Sequence, residues 1–325
     1  MEIVYIRPKS LFPLNLPSNK IFGSICVGIN AIYGEDELNT MLDNFHSDSV
    51  PFIISSAFPF VDGIKDEAKH HFFPKLITEP HKDTNKDLDA AKKFKKVEYV
   101  EESIFNEWIN GKISEADIIE VFKDKYKIKD KLLFPKDIKP TFNLTVGDLP
   151  HNQINRLSSS SENFYYSKGR YFGNAGQFFL IKFFDNEFKP KIISALKFIE
   201  DRGFGGDISS GDGQFEVIDG IKSIKIIDEP DGADTLATLS RYSPENDFNS
   251  FGQNRVWYEL VKVQGRCGDG VMKRSLLMFK EGSTFPIIDR GIYGRVYDVR
   301  PNPKRTVEYG IAFPIKIKIR TDGEG

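Results

Sequence analysis

The sequence is poor in what metal centres, disulfides and membranes require. It has only two cysteines in 325 residues, Cys26 and Cys267, far apart and without metal-ligand spacing. A structural zinc site is therefore excluded, a disulfide is not expected, and a reducing cytoplasm fits. No apolar run approaches the roughly 20 residues of a spanning helix; the stretch from Gln177 to Phe184 is among the longest. Charge of one sign is also missing: 45 Lys and Arg face 47 Asp and Glu, a formal net charge of −2, so the chain is not a general polycation. The opening Met1 to Arg7 has neither a basic start nor an apolar core, and it reads as a first strand instead of a signal peptide. Histidine is scarce. None of the five (His46, His70, His71, His81, His151) has a Tyr or Lys at a spacing that suggests acid–base catalysis.

What is present is glycine in one place. Gly203-Phe204-Gly205-Gly206-Asp207-Ile208-Ser209-Ser210-Gly211-Asp212-Gly213 carries two Gly-x-Gly pairs around a five-residue centre. Such glycines admit positive φ and bring bare N–H groups against a partner, an arrangement that suits an anion. A helical pattern precedes the loop and a strand pattern follows it. That is the reverse of a dinucleotide-binding loop, and no Gly-Lys-Ser/Thr is present for a Walker-type site. Asp207 and Asp212 alternate with Gly and Ser, as turn residues do, and are not read as metal ligands. From His151 to Lys191, six Lys and Arg stand against three Asp and Glu and are interleaved with aromatics. Cations with rings suit single-stranded RNA.

The order of elements gives the fold class. Ser18 reads as an N-cap before a helix striped by Ile21, Ile25, Ile29 and Ile32, with Gly34 closing it. A second helix covers Asp36 to Phe45, and Pro51 to Phe60 reads as one strand. Lys82 to Ile138 is Lys- and Glu-rich and reads as a helical insertion whose basic run, Lys92 to Lys96, is a solvated face. Strand character returns at Thr141, with a turn expected around Lys168-Gly169-Arg170, a strand over Gln177 to Phe184, and a helix over Lys191 to Arg202. With the insertion set aside, the order is β-α-β…β-α-β, that of ferredoxin-like RNA-recognition domains. Beyond Ile221 the pattern is mostly β, with strands expected over Thr235 to Leu239, Val256 to Val263, Lys273 to Phe279, Gly294 to Val299 and Tyr309 to Ile319, and a hairpin turn over Gly265 to Gly270. The expected fold is α+β: two tandem ferredoxin-like domains, 1–220 with a charged helical insertion at 82–138, and a degenerate second over 221–325.

Several stretches together resemble the RAMP superfamily of CRISPR-associated proteins, and within it the Cas-five group that supplies subunit four of the type III-A Csm effector complex. They are Leu16 to Cys26, Phe52 to Pro59, His71 to Lys75, Asn155-Arg156, the glycine loop, Leu239 to Tyr242, Phe279 to Ser283 and Tyr309 to Pro314. The family loop is Gly-h-Gly, five residues, Gly-h-Gly, with h apolar and a basic residue usual in the centre. Here Phe204 fits the first h, Asp212 replaces the second, and the centre has no Lys or Arg.

The resemblance implies a noncatalytic subunit that grips the repeat-derived 5′ tag of CRISPR RNA and joins the large polymerase-like subunit to a backbone RAMP subunit in antiviral defence. No cofactor, metal or membrane is expected. The residues expected at RNA are Gly203, Gly205, Gly206, Ser209, Ser210, Gly211 and Gly213 of the loop, Asn19, Lys20 and Ser24 at the first helix, and His151, Asn155, Arg156, Lys168 and Arg170, with Tyr165, Tyr166 or Tyr171 as a stacking surface. Two alternatives stay open at this point: a metal-independent endoribonuclease of the same superfamily that processes CRISPR RNA, with His151 as base, and a purely structural protein–protein adaptor.

Overall fold

The computed structural model of the chain describes residues 1–13, 15–47, 49–63, 69–79, 88–138, 142–205, 211–244, 247–252, 255–265, 271–300 and 305–320. The expected turn over Gly265 to Gly270 falls mostly outside them, as do Cys267 and His81.

Strand β1 (Glu2–Pro8) has Ile3, Val4, Tyr5 and Ile6 all buried, and so lies inside a sheet with cover on both faces. Helix α1 (Ser18–Tyr33) buries Ile21, Ile25 and Ile29. Ile32 shares that stripe but is 43% exposed, because burial depends on what lies beneath each turn and not on the period alone. Ser18 is not the N-cap. The helix starts at Ser18 itself, whose N–H donates to Ser56 Oγ at 2.9 Å, so a distant serine supplies the capping acceptor. Gly34 does close the helix, at φ +90. Helix α2 (Glu35–His46) begins with three acidic residues, favourable beside a helix N-terminus, and buries Met41, Leu42 and Phe45.

The expected strand over Pro51 to Phe60 is two strands, β2 (Phe52–Ile54) and β3 (Phe58–Asp62). Between them the backbone leaves the ladder: the N–H groups of Ser56 and Ala57 donate to Leu239 O and Leu16 O, tying the break to other parts of the chain. Strand β4 (Lys69–Pro74) follows.

The insertion is not purely helical. Helices α3 (Leu88–Phe94), α4 (Glu102–Ile109), α5 (Glu115–Glu120) and α6 (Phe122–Lys125) accompany three short strands, β5 (Tyr99–Glu101), β6 (Tyr126–Lys129) and β7 (Leu132–Pro135). Those strands extend the main sheet and bury Val100, Leu133 and Phe134. The turn between β6 and β7 places Asp130 and Lys131 at positive φ without glycine, so the usual hairpin signal was missing.

Next comes a ribbon, β8 (Leu144–Ile154) with β9 (Ser161–Phe172), then β10 (Ala175–Phe183), α7 (Phe188–Arg202) and β11 (Phe215–Ser223). The nine-stranded sheet runs β11-β1-β10-β3-β4-β5-β7-β6, with β2 also on β10. β1 is antiparallel to both β10 and β11, so the connections β1-α1-β2 and β10-α7-β11 interleave in one sheet. α1 and α7 pack closely where Gly28 meets Ala195; a Cβ on Gly28 would lie 2.9 Å from the Ala195 backbone.

The C-terminal part is β12 (Thr235–Thr238), β13 (Leu260–Val263), β14 (Leu276–Phe279), β15 (Thr284–Pro286), β16 (Gly294–Arg300), β17 (Thr306–Ile311) and β18 (Pro314–Ile317). They form a sheet β15-β12-β18 and the ribbons β13-β14 and β16-β17. The strand expected over Tyr309 to Ile319 breaks at Ala312 and Phe313, whose N–H groups go to Tyr293 O and Ser240 Oγ. Leu239, Val296, Tyr309, Ile311 and Phe313 join the same hydrophobic core as β1 and α1, while Tyr242, Phe279 and Phe285 centre a smaller one. Among the described residues no helix is long and apolar enough to cross a membrane.

Candidate functional site

The glycine loop hangs on the end of β1. α7 stops at Gly203, at φ +92, where its N–H returns to Ile199 O. Phe204 N–H donates to Gly213 O, Gly213 N–H to Leu11 O, and Gln214 N–H to Ser10 Oγ. Phe204 is buried, stacked on Phe215 at 4.8 Å and edge-on to Phe12 at 5.9 Å. The glycines then divide into two kinds. A Cβ on Gly213 would sit 1.8 Å from Phe204 O, so Gly213 is needed for the fold. Gly205 and Gly211, at φ +117 and +91, face open space, with Pro13 at 3.9 Å the nearest neighbour of Gly205 and nothing within 4 Å of Gly211. Gly206, Ser209 and Ser210 lie outside the described residues.

Asp212, which replaces the family's apolar residue, has a partner. Its Oδ2 lies 3.3 Å from His151 Nε2 and accepts from Ser167 Oγ at 3.0 Å, while His151 Nε2 is 2.7 Å from Ser167 Oγ. The imidazole stacks on Tyr165 at 4.8 Å. Both polar partners meet the same ring nitrogen, so this is not a relay in which an acid orients one nitrogen while the other activates a hydroxyl. It fastens the β8-β9 ribbon to the loop.

The remaining ribbon residues are spread along its length. Asn155 organises the tip, accepting from Leu157 N–H at 2.9 Å and donating to Glu162 at 3.0 Å, and Arg156 beside it is exposed. Lys168 is exposed on β9. The turn expected at Lys168-Gly169-Arg170 is absent: β9 runs straight through, and the turn is at the ribbon tip. Gly169 marks a close approach instead, since a Cβ there would lie 2.5 Å from Leu11 Cγ. Arg170 exchanges backbone hydrogen bonds with Phe12, and its Nε is enclosed without an acceptor. The rings of Phe164, Tyr165, Tyr166 and Tyr171 are all substantially exposed.

A cleft of about 970 Å³ opens between α1, α2, the end of α7 and the β16-β17 ribbon. It brings the expected Asn19, Lys20 and Ser24 of α1 to the same wall space as Gly203 and Gly205. It also adds Arg202, Lys273, Arg300 and Arg305, which the sequence reading missed. Arg202 adjoins the loop and was open to notice. Lys273, Arg300 and Arg305 lie far along the chain in strand patterns, with no local signal.

Lys20 and Arg202 form no ion pair among the described residues, whereas Lys273 meets Glu308 at 3.1 Å and Arg305 meets Asp43 at 2.7 Å. Two unpaired cations beside bare main chain form an anion-attracting wall. Cys26 also lines the cleft, and burial pushes its thiol up to about 12. His71, away from the cleft, is enclosed between Tyr5 Oη at 2.7 Å and Glu102 at 2.7 Å, and burial pushes the Tyr5 hydroxyl up to about 12. Among the described residues no cluster of His, Cys, Asp and Glu is placed to hold a metal.

The fold is that of chains in type III-A CRISPR complexes. A chain in the crystal structure of the Csm3–Csm4 subcomplex of the type III-A interference complex superposes with a TM-score of 0.70 at 18% identity, covering 98% of this chain and 100% of that one. A chain in the Csm1–Csm4 cassette crystallised with pppApA gives 0.60 at 20% identity, covering 100% of both. In sequence, the Csm4 protein of Thermococcus onnurineus is 24% identical over 331 residues, spanning 97% of this chain and 96% of its own length. That of Methanocaldococcus jannaschii is 23% identical over 327 residues, spanning 87% and 81%. No family model matches. The resemblance drawn from the sequence is borne out: this chain is a relative of the fourth Csm subunit.

Proposed function

We propose that this chain is the fourth subunit of a type III-A Csm effector complex. In this reading it holds the repeat-derived 5′ tag of CRISPR RNA without cutting it, and it bridges the large polymerase-like subunit to a backbone subunit in the cytoplasm. The reading rests mainly on the cleft, where Asn19, Lys20 and Ser24 stand with Gly203, Gly205 and the unpaired Lys20 and Arg202 charges. Cations take phosphates, bare amides take phosphate or ribose oxygens, and the exposed ribbon rings offer stacking to bases. His151 is occupied by Asp212 and Ser167, which favours an anchoring role over general-base work. Support for the bridging role is that chains of this fold occur in crystal structures of a Csm3–Csm4 subcomplex and of a Csm1–Csm4 cassette. The finer fold reading, a second and degenerate ferredoxin-like unit over 221–325, belongs to the same proposal.

Incubation of the full chain with 5′-labelled repeat RNA tests it. Binding that prefers the tag, with the strand intact, is the expected result. Cleavage products that disappear in His151→Ala overturn the noncatalytic reading. Absence of binding together with capture of the large subunit reduces the chain to an adaptor.

A further inference from the structure

One polar group in the cleft wall is left incomplete by the protein. Glu308, on β17, is 6% exposed, and its carboxylate receives Lys273 Nζ at 3.1 Å on one oxygen and Asn19 Nδ2 at 2.5 Å on the other. A carboxylate held by a lysine only accepts, so the Asn19 amide must turn its NH₂ toward Glu308. That fixes the amide orientation and leaves Asn19 Oδ1 on the other side, enclosed and without a donor. Enclosed acceptors are normally satisfied, and one that is not gains when a ligand brings a donor. Asn19 lines the cleft beside Lys20, with Arg202 lining it too, and as a residue it is only half-buried.

We propose that Asn19 Oδ1 is the specificity acceptor of the cleft, taking a hydrogen-bond donor from one nucleotide of the bound strand. The donor is a ribose 2′-hydroxyl or an exocyclic base amine, and Lys273 and Glu308 act as positioning residues that hold the amide in this orientation. The inference rests on the cleft being the RNA site. The division of labour follows from charge: Lys20 and Arg202 attract the phosphates, which offer only acceptors, while the enclosed Asn19 acceptor reads a donor.

The test uses the full chain and synthetic tag RNA changed one position at a time. One set carries 2′-deoxy sugars. The other lacks base amines, with purine riboside for adenosine, inosine for guanosine and zebularine for cytidine. At one position, in one of the two sets, the unaltered chain is expected to lose affinity about tenfold, and the set that responds identifies the donor. The same change is expected to cost Asn19→Ala less than about twofold, and Glu308→Gln, whose amide can meet Asn19 in either orientation, is expected to relax the preference as well. Undiminished discrimination in Asn19→Ala, or none by the unaltered chain in either set, overturns the acceptor role while leaving tag binding intact. Failure of the unmodified tag to bind overturns the cleft reading itself. The measurements on the unaltered chain need no variant to fold.

Discussion

Two adjacent residues at the start of α1 face two seams with opposite properties. Ser18 faces a closed joint. Its N–H goes to Ser56 Oγ and its Oγ accepts from Arg241 N–H, while Ser56 Oγ donates to Glu281, which pairs with Arg241 at 3.0 Å with both side chains 11% exposed. Asn19 faces the open cleft, where, among the described residues, Lys20 and Arg202 have no ion-pair partner and Asn19 Oδ1 has no donor. Both seams join residues before 205 to residues after 239. What separates them is charge pairing: at the joint Arg241 and Glu281 neutralise each other, with Arg241 Nη1 left without an acceptor, whereas at the cleft two cations remain to attract a ligand.

Breaking the closed joint should have the largest effect. Arg241→Ala or Glu281→Ala leaves an enclosed charge unpaired and is expected to cost about 3 kcal/mol of stability, read from urea denaturation. Tag affinity per folded molecule should hold. Gly213→Ala comes next, at about 2 kcal/mol or more, from positive φ and the clash with the Phe204 carbonyl. Gly211→Ala, two residues earlier and in open space, should cost only about 1 kcal/mol; equal losses for the two would remove the distinction between the loop's glycines. On the open side, Lys20→Ala and Arg202→Ala should leave the unfolding midpoint in place. Each should lower tag affinity uniformly across sequences and reduce the slope of log affinity against log salt by about 1. The smallest expected effect is that of Asp212→Asn, which weakens the loop-to-ribbon anchor by about 1 kcal/mol and leaves the tag uncut.

Much of the first half was legible because its signals are local. The stripe Ile21, Ile25, Ile29 and the positive-φ Gly34 set α1, and the same logic set α7 and Gly203. Signals with two physical causes were misread. Gly169 marks contact with Leu11 and not a turn, and the charged residues of the insertion hid three strands of only three or four residues each. Ser18 has the composition of an N-cap but spends its hydroxyl on Arg241. The loop's Asp212 was recognised as a departure, but its partner His151 lies on a ribbon whose pairing only the folded chain brings alongside.

The residues alone therefore determined the first helix, the helix that feeds the glycine loop, the loop itself and the kinship with the fourth Csm subunit, since periodicity, glycine and recurrent motifs act over a few residues. Tertiary structure alone decided which charges are spent and which remain free. Asn19 and Glu308 stand 289 residues apart, and their contact depends on how α1 meets the β16-β17 ribbon. No local pattern carries that information, because the energy of an ion pair or hydrogen bond depends on which groups end up within about 3 Å and how far water is excluded.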